Sequence, residues 1–203
     1  MAKNKNIIRY ILLVAAVVSG IELYALTPTA LPTDPPETSF PINRDGQGQA
    51  LKGKLRERIS EVYSSQIGIR ERTNQNDGKE VEMYLASAGL AKGNPWCAAF
   101  VTWTYKTAGI KAIKSGYSPA WFPREKVIWQ NQKGQQPNRA DVFGLWFANK
   151  GRIAHVGFID KWDEGNYAVT VEGNTNEGGS RDGDGVYRKR RLKRQIYAVS
   201  RWL

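Results

Sequence analysis

At Ala140 the spacing of apolar residues along the chain changes, and that change dictates a two-part fold. Upstream, Leu51, Leu55, Ile59, Val62 and Tyr63 recur at helical intervals among Lys, Arg and Glu. Val81, Tyr84, Leu85 and Ala88 repeat the pattern and are stopped by Gly89. Downstream, Val142, Gly144 and Trp146 alternate with Phe143, Leu145 and Phe147. Ile153, His155, Gly157 and Ile159 then alternate with Ala154, Val156 and Phe158. Turn residues at 149–152 and 162–166 separate these runs from a third, carried by Tyr167, Val169 and Val171. Gly173 to Gly185 holds five glycines and reads as a mobile loop. Val186 to Arg188 and Ile196 to Trp202 are expected to close the sheet. Helices first and an antiparallel sheet second make an α+β fold. Between the two parts, 111–139 looks irregular, with a short helix expected near 124–130.

The last upstream helix carries the only cysteine. In Gly93-Asn94-Pro95-Trp96-Cys97-Ala98-Ala99-Phe100-Val101-Thr102-Trp103, Pro95 is expected in the first turn, where a missing amide hydrogen costs nothing. Cys97 then also falls in the first turn, where the positive end of the helix dipole favours thiolate over thiol. The helix should run to about Ala108 and end at Gly109. A lone cysteine is commonly a small buried apolar residue; in this position it is also a nucleophile candidate.

A thiol nucleophile needs a base, and imidazole suits neutral pH. The chain has one histidine, His155, in the middle of the second alternating run. The imidazole needs a third group to hold its tautomer and stabilise its cation. Glu172 and Asn174, at the end of the next run, supply a carboxylate and an amide. Tyr117, Trp121, Phe122 and Trp129 are open to two roles, lining a substrate groove or covering a satellite core. No zinc site can be built from one Cys and one His.

The N-terminus reads as an export element. Lys3, Lys5 and Arg9 precede the apolar run Tyr10 to Val18, with Ile21, Leu23 and Leu26 beyond. Residues 1–26 are a cleaved signal peptide or a membrane anchor, and either carries the rest of the chain outside. Five prolines between Pro28 and Pro41 make 27–48 a tether, leaving 49–203 as the folded domain. The net charge of +11 suits a polyanionic partner. Export and the lack of a nucleic-acid motif disfavour nucleic acid and leave an anionic wall polymer or lipid. The densest basic run, Arg188 to Arg194, is either a grip on such a polymer or a solvated strand edge.

Four segments together resemble the CHAP-domain amidohydrolases and peptidases, part of the wider NlpC/P60 and papain-like group. They are Pro95-Trp96-Cys97-Ala98-Ala99-Phe100-Val101, Ala140-Asp141-Val142, Ala154-His155-Val156-Gly157-Phe158 and Val171-Glu172-Gly173-Asn174-Thr175, in that order. The resemblance covers about 66–203. It implies a papain-like fold and cofactor-free cleavage of amide bonds in peptidoglycan, as an N-acetylmuramoyl-L-alanine amidase or a stem or cross-bridge endopeptidase. It implies Cys97 as nucleophile, His155 as base, and Glu172 with Asn174 as orienting groups. The Cys97 amide would help hold the oxyanion. Trp96 stands where many members carry a polar residue, so Asn94 is the expected substitute donor. Trp96, Asn94 and Trp121 are the residues expected to meet substrate. The rival expectation is a non-catalytic, envelope-anchored peptidoglycan-binding module on the same fold.

Overall fold

A computed structural model describes residues 44–178 and 183–203. The expected export element, the tether up to residue 43, and 179–182 of the glycine-rich loop lie outside the described residues. Among the described residues no helix is long and apolar enough to cross a membrane.

Three α-helices come first: α1 (Arg44–Ser64), α2 (Lys79–Ser87) and α3 (Cys97–Thr107). Helix α1 begins five residues before the expected domain start at Gln49. Its apolar stripe packs only at the C-terminal end, where Ile59 and Tyr63 are fully buried, while Leu51 is exposed. Tyr63 stacks on Phe158, ring centroids 5.0 Å apart, and donates its hydroxyl to Asp160 at 2.8 Å. Helix α2 ends as expected, with Gly89 in the left-handed region at φ 77°. Helix α3 starts two residues later than expected. Trp96 is its N-cap residue and Cys97 its first helical residue, so Pro95 lies just before the helix. The first ladder bond runs from the Phe100 amide to the Trp96 carbonyl at 2.8 Å. The amides of Cys97, Ala98 and Ala99 therefore precede the ladder.

Seven strands follow: β1 (Val127–Gln130), β2 (Lys133–Gly134), β3 (Val142–Phe147), β4 (Arg152–Lys161), β5 (Tyr167–Thr175), β6 (Gly185–Leu192) and β7 (Ala198–Ser200). They form one antiparallel sheet in the order β2-β1-β7-β3-β4-β5-β6. Helices packed on an antiparallel sheet are α+β, as expected. The expected helix near 124–130 is only a single 3-10 turn, Arg124–Lys126, and the rest of that segment is β1. Its Trp129 is buried against Trp162 on the sheet. Burial of the apolar residues at strand spacing outweighs the weak local helix signal.

Tyr84 of α2 packs against Trp96, Phe100 and Trp103, with centroids 5.0 to 5.5 Å apart. Tyr105 of α3 stacks on Trp121 at 5.5 Å. Phe100 and Tyr105 in turn rest on Phe158 of β4, with centroids 6.2 and 5.8 Å apart, which seats α3 on the sheet. Asp141, from the second of the four segments, is an architectural residue. Its buried carboxylate binds Arg56 of α1 at 2.8 Å, Arg201 after β7 at 2.9 Å and the Asn138 amide at 2.8 Å.

Candidate active site

The sheet register brings the sole histidine to the glutamate. Phe158 of β4 pairs with Val171 of β5, so Glu172 lies beside Gly157, on the face that carries His155. The two side chains are then diagonal neighbours. A Cβ at Gly157 would come within 3.0 Å of Glu172 Cγ and 2.7 Å of the Val171 carbonyl. The glycine thus leaves the space through which Glu172 reaches His155. His155 Nε2 meets Glu172 Oε2 at 2.8 Å, and Glu172 is fully buried.

Helix α3 brings the thiol to the other side of the ring. Cys97 is 6% exposed and stands at the first position of the helix. Cys97 and His155 line the same groove, and each acts on the other's protonation. With Nε2 held by Glu172, Nδ1 is the nitrogen left for sulfur. The approach of α3 depends on Gly173 of β5, where a Cβ would lie 2.6 Å from the Trp96 ring and 2.9 Å from Phe100. Any larger residue there would push the helix start away from the strand.

The charges are coupled. Burial pushes the Cys97 thiol up, but hydrogen bonding to His155 and the imidazolium charge outweigh it. With help from Ser118 and the Val156 amide they bring it down to about 7. Burial pushes His155 down, but hydrogen bonds to Cys97 and Glu172 and the charges of both bring it up to about 9. Burial likewise opposes ionisation of Glu172, and Arg191 and His155 more than reverse that, holding it well below the usual carboxylate range. The arrangement favours a thiolate–imidazolium pair at neutral pH.

Two partners of this network were not expected from the sequence. Arg191 grips Glu172 through Nε at 2.5 Å and Nη2 at 2.6 Å. The Thr170 hydroxyl donates to Glu172 Oε1 at 2.6 Å. Arg191 belongs to the basic run, which lies mostly on β6, the edge strand beside β5. In β6, Arg188 and Arg190 are exposed, whereas Lys189 and Arg191 are half-buried on the face shared with Thr170 and Glu172. Alternation within a run of like residues carries this signal once the strand is known to reach Leu192.

The remaining expected site residues have other roles. Asn174 does not meet His155. Its Oδ1 accepts the Trp96 amide at 3.0 Å, and its Nδ2 donates to the Gly183 carbonyl at 3.0 Å and Asn76 Oδ1 at 3.1 Å. It fixes the chain entering α3 rather than the imidazole. Trp96 is fully buried, with Nε1 donating to Glu71 Oε1 at 2.8 Å, so it is core and not a substrate contact. Glu71, unexpected in this role, also accepts the Asn76 amide at 2.8 Å. Trp121 is fully buried between Tyr105 and Trp202 and belongs to the core. Asn94 is exposed, donates to the Ala91 carbonyl at 2.9 Å and does not line the groove onto which Cys97 opens.

Cys97 and His155 open onto a groove of about 770 Å³. Asn74, Asn76, Asn174 and Thr175 line it, as do Phe147 and Lys150. Among the described residues no cluster of three or more His, Cys, Asp or Glu could hold a metal ion. Comparison of the chain with protein-family models, curated proteins and solved structures finds no match.

Proposed function

We propose that this protein is an exported cysteine hydrolase of papain-like build that cleaves amide bonds in peptidoglycan. One observation carries the chemistry: the only thiol, at the start of a buried helix, faces the only imidazole, whose far nitrogen is held by a buried carboxylate. Sulfur attacks the amide carbonyl as thiolate. The Cys97 amide, ahead of the helix ladder, donates to the oxyanion. The C–N bond breaks as His155 gives its proton to the leaving amine, leaving a thioester on Cys97. Water, deprotonated by His155, then attacks the thioester and releases acid and thiolate. Amide hydrolysis by this route consumes only water and calls on no cofactor.

The substrate class rests on the surroundings of the thiol. A groove walled by carboxamides and a hydroxyl offers donors and acceptors to a peptide backbone or a sugar. The basic surface suits an anionic wall. The four-segment resemblance points to the same class, and the basic, apolar N-terminus to the compartment where that polymer lies.

Muropeptides released from purified sacculi, read by mass spectrometry, test the proposal and identify the bond. Wild-type protein is expected to release fragments and Cys97→Ala none, with an unchanged circular dichroism spectrum. Binding without release by the wild type would instead support a non-catalytic wall-binding module. Release should rise as pH passes about 7, where Cys97 ionises. It should fall as pH passes about 9, where His155 loses the proton the leaving amine needs.

A further inference from the structure

The irregular segment between α3 and β1 approaches sulfur from a side of its own. Ser118 is 5% exposed, and its Oγ lies 3.6 Å from Cys97 Sγ. Among the described residues the Ser118 hydroxyl has no other hydrogen-bond partner. Ser118 does not line the groove onto which Cys97 and His155 open, and the contact its hydroxyl makes is to sulfur.

The segment is clamped to α3 on both sides of Ser118. Thr102 Oγ1 donates to the Ser115 carbonyl at 2.8 Å, and the Ser115 amide donates back to it at 3.2 Å. Beyond Ser118, Trp121 stacks on Tyr105 and meets Trp202 edge-on at 5.2 Å. A single 3-10 turn, Ser118–Trp121, connects the clamps, with the Ala120 amide donating to the Tyr117 carbonyl at 3.1 Å. Both anchors belong to the helix that carries the thiol, so the hydroxyl and sulfur are held in one rigid frame.

We propose that Ser118 is a dedicated hydrogen-bond donor to the Cys97 thiolate, holding the thiolate–imidazolium pair as the resting state of the site. This rests on Cys97 being the nucleophile. A thiol can give its proton to a hydroxyl, but a thiolate can only accept, and a charge-assisted bond is the stronger of the two. Protonation of sulfur therefore weakens the contact and ionisation strengthens it. Ser118 acts on the nucleophile ahead of substrate, in addition to the groups that polarise the carbonyl.

Alkylation of Cys97 by iodoacetamide, followed from pH 5 to 10, reads the thiol without any need for hydrolysis. Wild-type protein is expected to show an inflection near 7. In Ser118→Ala the inflection should move up by about one pH unit, a tenfold loss of thiolate at acidic pH. Ser118→Thr, which keeps the hydroxyl, should restore the wild-type curve. Alanine is smaller than serine and removes no other hydrogen bond, so the fold should survive; thermal unfolding checks this. A Ser118→Ala curve that coincides with a wild-type inflection near 7 overturns the role of Ser118 and leaves the nucleophile intact. A wild-type thiol that alkylates only above pH 8 overturns the nucleophile, and the role of Ser118 with it.

Discussion

The two sides of the site are held by opposite means. The sulfur side is apolar: α3 is fixed by Tyr84, Trp96, Tyr105 and Trp121, all fully or almost fully buried. The imidazole side is ionic: Glu172 sits among His155, Arg191 and Thr170 in a buried network. Apolar packing positions an atom well but does little to set its charge. A buried ion network sets charge strongly and is costly wherever a member is left unpaired. The division places stability mostly in the aromatic frame and protonation mostly in the carboxylate network.

Substitutions on each side should therefore fail differently. With the nucleophile and base left in place, the largest effect on chemistry is expected from Glu172→Gln, which keeps the shape but loses the charge that favours imidazolium. Hydrolysis should fall by up to about 10⁴-fold, the loss seen when an orienting carboxylate becomes an amide. The apparent pKa of His155 should fall as well. Activity assays paired with a pH titration check this, and unchanged activity would remove Glu172 from the site. On the apolar side, Trp121→Ala should cost about 3–5 kcal/mol of unfolding free energy in urea. The folded fraction should keep its His155–Glu172 contact, so a large fall in the His155 pKa would break the division.

Asn174→Ala bridges the two sides and should have the smallest effect. It frees the Trp96 amide ahead of α3 and removes about 1–2 kcal/mol of stability. The start of the helix should loosen, lowering kcat more than it raises KM. An equal loss in Asn174→Ala and Glu172→Gln, with His155 titrating alike in both, would show that Asn174 acts on the imidazole after all.

The sequence carried these two sides unequally. Helical spacing located α2 and α3, and strict alternation located β3 and β4. A single Cys and a single His made the pair easy to nominate. Arg191 was hidden because alternation cannot be seen in Arg188-Lys189-Arg190-Arg191 without knowing that the strand continues. Ser118 and Glu71 were hidden because their segments have no period, and their contacts lie 21 and 25 residues away along the chain. For Trp96 and Trp121 the sequence gives no sign of which way the ring faces, so core and substrate contact cannot be told apart there. Both are spent on the frame that carries Cys97. Pro95 signalled the start of the helix but not its position; Trp96 occupies the cap between them.

Because the chain has one histidine, its ring proton gives a single NMR titration curve for the whole site. With a thiolate on one side and Glu172 on the other, the midpoint is expected near 9 in the wild type and lower in Cys97→Ala. A midpoint at or below 6.5 that ignores the loss of Cys97 would mean the imidazole is a solitary buried ring, and would contradict the thiolate–imidazolium pair.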